Sequence, residues 1–278
     1  MKLSGLRNHP KTFLRLTGVS VEKFDALVAP LLPIFAQAEK KRLSRPNRQR
    51  AIGGGRRYAL ELGETLVMVL MYYRLYVSHA LLGVLFDVSE STVSRRIGQI
   101  EPLLAQLFRI PTRRIEIAEE ELIEVFVDAT EQEIERPKKG QKAWYSGKKK
   151  RHTIKHQVVV DQTGKIRAVS RAHKGKVQDK KVYDRERVRI PPGVSKTGDK
   201  GYQGAQGMHT PIKKPRGGTL TKEQKHHNRT LAQSRIVVEH TLRKMKIFRI
   251  LSYRFRNPRK RHTLIFKNVA GLHNVRFA

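Results

Sequence analysis

Three carboxylates stand out in a chain dominated by cations. Asp128 closes the apolar run "LIEVFVDATE", Asp199 lies in "SKTGDKGYQG", and Glu239 sits inside "SRIVVEHTLRKMKIFRI". An unpaired carboxylate at the end of a buried strand is unfavourable by several kcal/mol. Carboxylates from two strand ends and a helix could instead hold two divalent cations, and oxygen-only ligands suit magnesium or manganese. Two such ions would activate an attacking water or 3′-hydroxyl and stabilise the leaving oxygen in phosphoryl transfer. Each acid also has a local explanation. Asp199 could pair with Lys200, Glu239 with Arg235 or Arg243, and Asp128 could cap a turn.

Cations surround these acids. Arg235 and Lys246 lie at i−4 and i+7 from Glu239 and share nearly one helical face with it. Val238, Leu242 and Met245 form the neighbouring apolar stripe that would dock this helix on a sheet. Lys148, Lys149, Lys150 and Arg151 make a basic hairpin tip, suited to phosphates or simply solvated. Trp144 and Tyr145 beside it could stack on an unpaired base or pack in the core. Asp179 could be a fourth carboxylate near the metals or a helix N-cap. His209, His226 and His227 show no metal-ligand spacing.

The elements that must position these residues fall into two groups. Residues 21 onward read as a helix capped by Ser20, with Phe24, Leu27, Val28 and Leu31 on one face. The basic stretch "EKKRLSRPNRQRAIGGGRR" is either a phosphate-contacting arm or a solvated loop. "GETLVMVLMYYRLYV" and "SHALLGVLF" are helices, the second capped by Ser78. "DVSESTVSRRIGQIEPLLAQLF" then supplies a tight turn with a buried Val88 and a further helix. Val93 and Ile97 should face the core. Ser91, Thr92, Ser94, Arg95 and Arg96 should face outward, where arginine can read guanine edges and hydroxyls can hold phosphates. This is a helix-turn-helix pattern, which also occurs in helical bundles as a packing unit.

After a charged connection, 109–121, the pattern changes. The order is β-β-β-α-β-α: a strand ending at Asp128, a strand in "WYSGKKKRHTIKHQVVVD", and a third after the turn at Gly164, together an antiparallel meander. A short helix begins at Asp179, a short strand ends at Asp199, and a long helix covers about 228–247. A strand or helix closes the chain. The expected domains are a helical DNA-binding domain, 1–110, with the helix-turn-helix near 78–107, and a catalytic domain, 121–278.

Composition narrows the partners. The chain has 278 residues, with 58 basic and 24 acidic, a formal net charge of +34. Such charge implies polyanionic partners, nucleic acid first among them. No cysteine is present, which excludes disulfides and Cys-based zinc sites. "MKLSGLRNHPKTF" lacks a signal-peptide core, and the longest apolar stretch is broken by Arg74. The expectation is a cytoplasmic, nucleoid-associated protein with no membrane partner.

The pieces "VDATE", "SGKKKRHTIKHQVVVD", "DKKVYD", "GDKGYQG" and "RIVVEHTLRKMK" together resemble the DDE transposases of bacterial insertion sequences, in the insertion-sequence-five branch. The spaced motif R-x3-E-x6-K is met by Arg235, Glu239 and Lys246. The family pattern often has tyrosine three residues before that arginine, where this chain has Ala232. The resemblance implies an α/β, ribonuclease-H-like mixed sheet with flanking helices, preceded by an all-α helix-turn-helix domain. It implies Asp128, Asp199 and Glu239 as catalytic metal ligands for magnesium or manganese, with two ions. It also implies cleavage at the inverted-repeat ends of an element and strand transfer into target DNA. Arg235 and Lys246 would contact DNA near the scissile phosphate, Arg243 is a further candidate DNA-binding residue, and the protein would act as a homodimer on double-stranded DNA. The alternative is a DNA-binding regulator, or a domesticated inactive transposase, using only the helix-turn-helix.

Overall fold

The computed structural model describes residues 3–44, 47, 49, 51–52, 58–115 and 123–277. Gly53–Gly55 of the basic stretch and residues 116–122 of the charged connection lie outside them. The chain divides into two units: Met1–Arg109 with Phe248–Ile250, and Ile110–Ile247 with Leu251–Ala278.

The first unit is helical: α1 (Leu3–Arg7), α2 (Pro10–Thr17), α3 (Val21–Leu43), α4 (Leu62–Leu75), α5 (His79–Phe86) and α6 (Glu90–Phe108). Ser20 caps α3 as expected, its hydroxyl accepting from the Lys23 N–H at 3.2 Å. Every residue of α4 from Thr65 to Tyr73 is buried, the mark of a helix surrounded by others. Ser78 and Ser89 cap α5 and α6. Between them Asp87 adopts a left-handed φ of 54°. Gly83 lets the turn close, because a Cβ there would lie 2.6 Å from the Val88 carbonyl oxygen. Val93 and Ile97 are fully buried, whereas Val88 is only half-buried.

One residue of the expected outer face is inside. Arg96 is buried; its guanidinium donates to the Leu60 carbonyl at 3.1 Å and to Gln99 at 3.1 Å, and stacks 3.5 Å over the Tyr58 ring. Arg96 follows Val93 by three residues and precedes Ile100 by four, which puts it on the packed stripe. Its polar head is satisfied there without reaching solvent.

The second unit is α/β. Its strands are β1 (Glu124–Glu133), β2 (Tyr145–Ser146), β3 (Arg151–Asp161), β4 (Ile166–Val169), β5 (His173–Lys174) and β6 (Ser195–Gly198). Its helices are α7 (Gln141–Trp144), α8 (Asp179–Glu186), α9 (Lys222–Ser234), α10 (Ile236–Met245) and α12 (His262–Phe277); α11 (Arg249–Ser252) is divided, with Arg249 and Ile250 counted in the first unit. β1, β3 and β4 form the expected antiparallel meander, and β6 adds to β1 in parallel. β3 is central, paired with β1, β2, β4 and β5, and buried from Thr153 to Asp161. Val125, Val127 and Val159 pack with Tyr202 and Tyr183 on the face carrying α8. Leu242 and Met245 of α10 and Phe266 of α12 cover Thr130, Gln132 and His156 on the other.

Two boundaries differ from the sequence expectation. β1 does not end at Asp128, because β3 goes on pairing with it through Glu133 opposite Thr153. The long helix is two. α9 starts early, at Lys222, through a reciprocal cap between Thr221 and Gln224, and α10 begins after Arg235.

Candidate active site

The parallel ladder places the two aspartates. Val127 opposite Gly198 is its last pair, so Asp128 and Asp199 follow side by side where β6 stops. Asp199 turns the chain: its Oδ1 accepts from the Gly201 N–H at 2.8 Å and caps a 3-10 turn, Lys200–Tyr202. A Cβ at Gly201 would lie 2.9 Å from both Asp199 Oδ1 and Asp179 Oδ2, so these two carboxylates flank one small residue. Asp128 accepts from the Ala129 N–H at 2.8 Å. Burial pushes the Asp128 pKa up to about 6; the Ala129 N–H opposes this, and the charges of Asp199 and Asp179 reinforce it.

Glu239 comes from α10, whose Val238, Leu242 and Met245 are buried as the stripe requires. It is exposed, and lines a cleft of about 360 Å³ together with Asp128 and Glu131. Among the described residues, none of Asp128, Asp199 and Glu239 has an ion-pair partner. The local alternatives for Asp199 and Glu239, pairing with Lys200, Arg235 or Arg243, are therefore not what the structure contains. Among the described residues, no three acidic or histidine side chains stand at preformed metal-ligand spacing.

The cations sort into three groups. Lys148, Lys149, Arg243 and Lys246 line the acid cleft. Partial desolvation and the charge of Lys149 pull the Lys246 pKa down, with Asp128 opposing. Arg235 sits at the junction of α9 and α10, where its charge lowers the Asp128 pKa; its Nε is buried without a partner among the described residues. Lys150 takes a left-handed φ of 51° at the hairpin tip, and Arg151 pairs with Glu133 at the strand start.

Sequence reasoning missed a buried network. Lys155 of β3 is 5% exposed and donates to Asp179 Oδ1 and to the Val177 carbonyl, each at 2.7 Å, with Glu131 3.3 Å away. Burial would raise the Glu131 pKa, but hydrogen bonds from Ser146 and Thr153 and the Lys155 ammonium hold it below its usual value. Asp179 is not the cap of α8, since Gln178 occupies that position; it is held by Lys155. The lone lysine inside "HTIKHQVVV" was the available signal, because a buried lysine needs a carboxylate.

Tyr202 was also missed. It is fully buried and its hydroxyl has no partner among the described residues. Burial, with the charges of Asp179, Asp128 and Asp199, pushes its pKa well up, so it remains a protonated donor. In the helical unit, Ser91, Ser94 and Arg95 are exposed and Thr92 is half-buried. Arg95 folds back on its own helix, donating to the Ser91 carbonyl at 3.2 Å and to the Thr92 hydroxyl at 3.3 Å.

A helix-turn-helix unit and a mixed sheet with acids at a parallel strand end are consistent with a DNA-processing enzyme. A family model described as DDE superfamily endonuclease matches residues 127–274, and one described as the helix-turn-helix of that superfamily matches residues 58–110. The chain belongs to the DDE superfamily of endonucleases. It is 36% identical over 277 residues, 96% of this chain and 95% of the relative, to the "Probable transposase for insertion sequence element IS702" of Microchaete diplosiphon. It is 28% identical over 272 residues, 96% of each chain, to a protein of Streptomyces albus G named as a transposase for insertion sequence element IS112. No solved structure matches the chain. Within the superfamily, this protein is a DNA transposase. Among the described residues, no helix is long and apolar enough to cross a membrane.

Proposed function

We propose that Asp128, Asp199 and Glu239 hold two magnesium or manganese ions, and that this site cuts DNA at the inverted-repeat ends of an insertion sequence and joins them to target DNA. The carrying observation is three acids without ion-pair partners, in a unit where lysines and arginines lie close by. The donor set is all oxygen, and Asp128, its pKa raised first by burial and then by the charges of Asp199 and Asp179, has no ion-pair partner among the described residues. That fits a divalent cation. When bound, the ions supply Lewis-acid activation of the attacking hydroxyl and stabilisation of the leaving oxygen.

The protein's own residues do the rest. Lys148, Lys149, Arg243 and Lys246 fix the phosphate backbone over the cleft, and Arg235 and Lys150 extend that grip. Tyr202 offers a hydrogen bond from beneath the aspartates. The exposed Ser91, Ser94 and Arg95, with Thr92, read the element ends. The protein acts in the cytoplasm on nucleoid DNA as a homodimer, because two ends must be brought together, and falls in the insertion-sequence-five branch.

The test is nicking of a supercoiled plasmid carrying the element ends, with magnesium or manganese. Wild type should nick, and Asp128→Ala and Glu239→Gln should not. Equal nicking by wild type and Asp128→Ala would overturn the site; no nicking by either, with specific binding retained, would leave a DNA-binding regulator.

A further inference from the structure

The acid cleft does not end at Asp128. It shares Glu131 and Lys148 with a second cavity of about 450 Å³, lined by Lys155, Lys176 and Lys180. That cavity shares Gly147 and Lys176 with a third, of about 550 Å³, lined by Arg136, Lys142, Tyr145 and His152. Through these shared lining residues we read the three as one groove along the β2–β3 hairpin. In its middle part, half-buried Glu131 and Asp179 pair with buried Lys155 and neutralise one another in part. Away from the acid cleft with its Asp128 and Glu239, the charged side chains of the lining besides these three are Lys148, Lys176, Lys180, Arg136 and Lys142, of which Lys180 pairs with Asp184.

An aromatic ring stands at the far end. Trp144 is half-buried and its ring already has cations beside it, Arg259 at 4.7 Å and Lys174 at 5.8 Å. Tyr145 is 44% exposed and meets His152 in a T-shaped pair at 5.7 Å. Of the two neighbouring aromatics, Tyr145 is therefore the one open to a ligand. A basic groove leading to an exposed aromatic is the arrangement that holds unpaired nucleic acid, since bases stack on the ring while lysines follow the backbone. An intact duplex keeps its bases stacked within itself and gains nothing from that ring.

The register sets the spacing. Asp128 pairs with Val158 and Tyr145 with His152. Six residues of β3 separate them, about 20 Å at ~3.3 Å per residue. We propose that this groove holds an unpaired DNA strand leaving the acid cleft, with one base stacked on Tyr145 within about six nucleotides of the scissile phosphate. The inference rests on the DNA-cutting reading above and adds to it a strand-binding site.

The experiment measures binding of a labelled element-end duplex, blunt or carrying a ten-nucleotide single-stranded tail, by anisotropy. Wild type should prefer the tailed duplex. Tyr145→Ala should lose about fivefold or more of that preference, and Tyr145→Phe should keep it. A 2-aminopurine moved along the tail should be quenched most at one position, and that quench should vanish in Tyr145→Ala. Equal binding of tailed and blunt duplex, or an unchanged preference in Tyr145→Ala, overturns the proposal. Plasmid nicking is run in parallel. Nicking without tail preference overturns this inference alone; tail preference without nicking supports the groove and overturns the cleavage reading.

Discussion

Val127 and Gly198 are the last partners of the parallel β1–β6 ladder, and the site follows from that pairing. Each is succeeded by an aspartate, so the two carboxylates leave the ladder together. Gly198 admits no side chain: a Cβ there would meet Met208 Sδ at 2.5 Å and the Tyr202 ring at 3.1 Å. Glycine before Asp199 thus leaves room for the Tyr202 ring and Met208 against the end of β6.

Burial of Asp128, reinforced by the nearby charges of Asp199 and Asp179, makes its ionised form unfavourable in the metal-free site. Asp128 has its folded pKa raised to about 6, against 3.8 ordinarily. The folded state therefore binds this proton more tightly than the unfolded chain. The associated stability is present below the ordinary value and is lost as pH rises through about 6. Asp128→Asn removes the ionisation, and should stabilise the metal-free protein at pH 8 by about 1–3 kcal/mol, with the gain shrinking toward pH 4. Urea unfolding with a chelator present at both pH values measures this. A lower midpoint for Asp128→Asn at pH 8 would show that the carboxylate is stabilising.

Gly201 keeps Asp179 and Asp199 in place by having no side chain. Its added Cβ would lie 2.9 Å from an oxygen of each. Gly201→Ala should cut nicking by about tenfold or more through displaced ligands, while duplex affinity changes less than twofold. Steady-state nicking and anisotropy on the same preparation separate the two. Parallel losses in both would place the defect in folding.

Much of this was legible in sequence. Caps at Ser20 and Ser78, the apolar stripe of α10, and the meander followed from local pattern and need no tertiary information. The three candidate acids could be singled out because carboxylates are conspicuous in a chain of this charge. The Glu131–Lys155–Asp179 network was not, because it joins residues of β1, β3 and α8 through register alone. The extent of β1 past Asp128 was hidden for the same reason: polar "ATEQE" stays in the sheet because β3 pairs with it, not through its own propensity. Arg96 looked like its neighbour Arg95, and only packing against Tyr58 and Leu60 distinguishes them.

That difference is testable. Arg96→Ala removes two charge-assisted hydrogen bonds and a stacked ring, and should destabilise the helical unit by about 2–4 kcal/mol. Arg95→Ala removes an exposed side chain, and should leave the melting midpoint unchanged while weakening binding to element ends by about fivefold or more. Calorimetry and footprinting on both variants decide. If Arg96→Ala melts like wild type, its buried contacts contribute little.

Lys155 is the clearest structural cation beside the site. Removing it leaves Asp179 and Glu131 without their buried partner, and breaking such a pair is destabilising by about 3–5 kcal/mol. Lys155→Met should show that loss in urea unfolding. Adding Asp179→Asn and Glu131→Gln removes the stranded charges, and should recover most of it. The same set decides the part played by Asp179. One of its oxygens is engaged by Lys155 and the other faces Gly201 beside Asp199. If Asp179 positions the turn rather than binding metal, Asp179→Asn should lower nicking without changing the magnesium concentration giving half-maximal rate. A rise in that concentration of about tenfold would instead make Asp179 a ligand, and Lys155 the counter-charge that holds it at the metal.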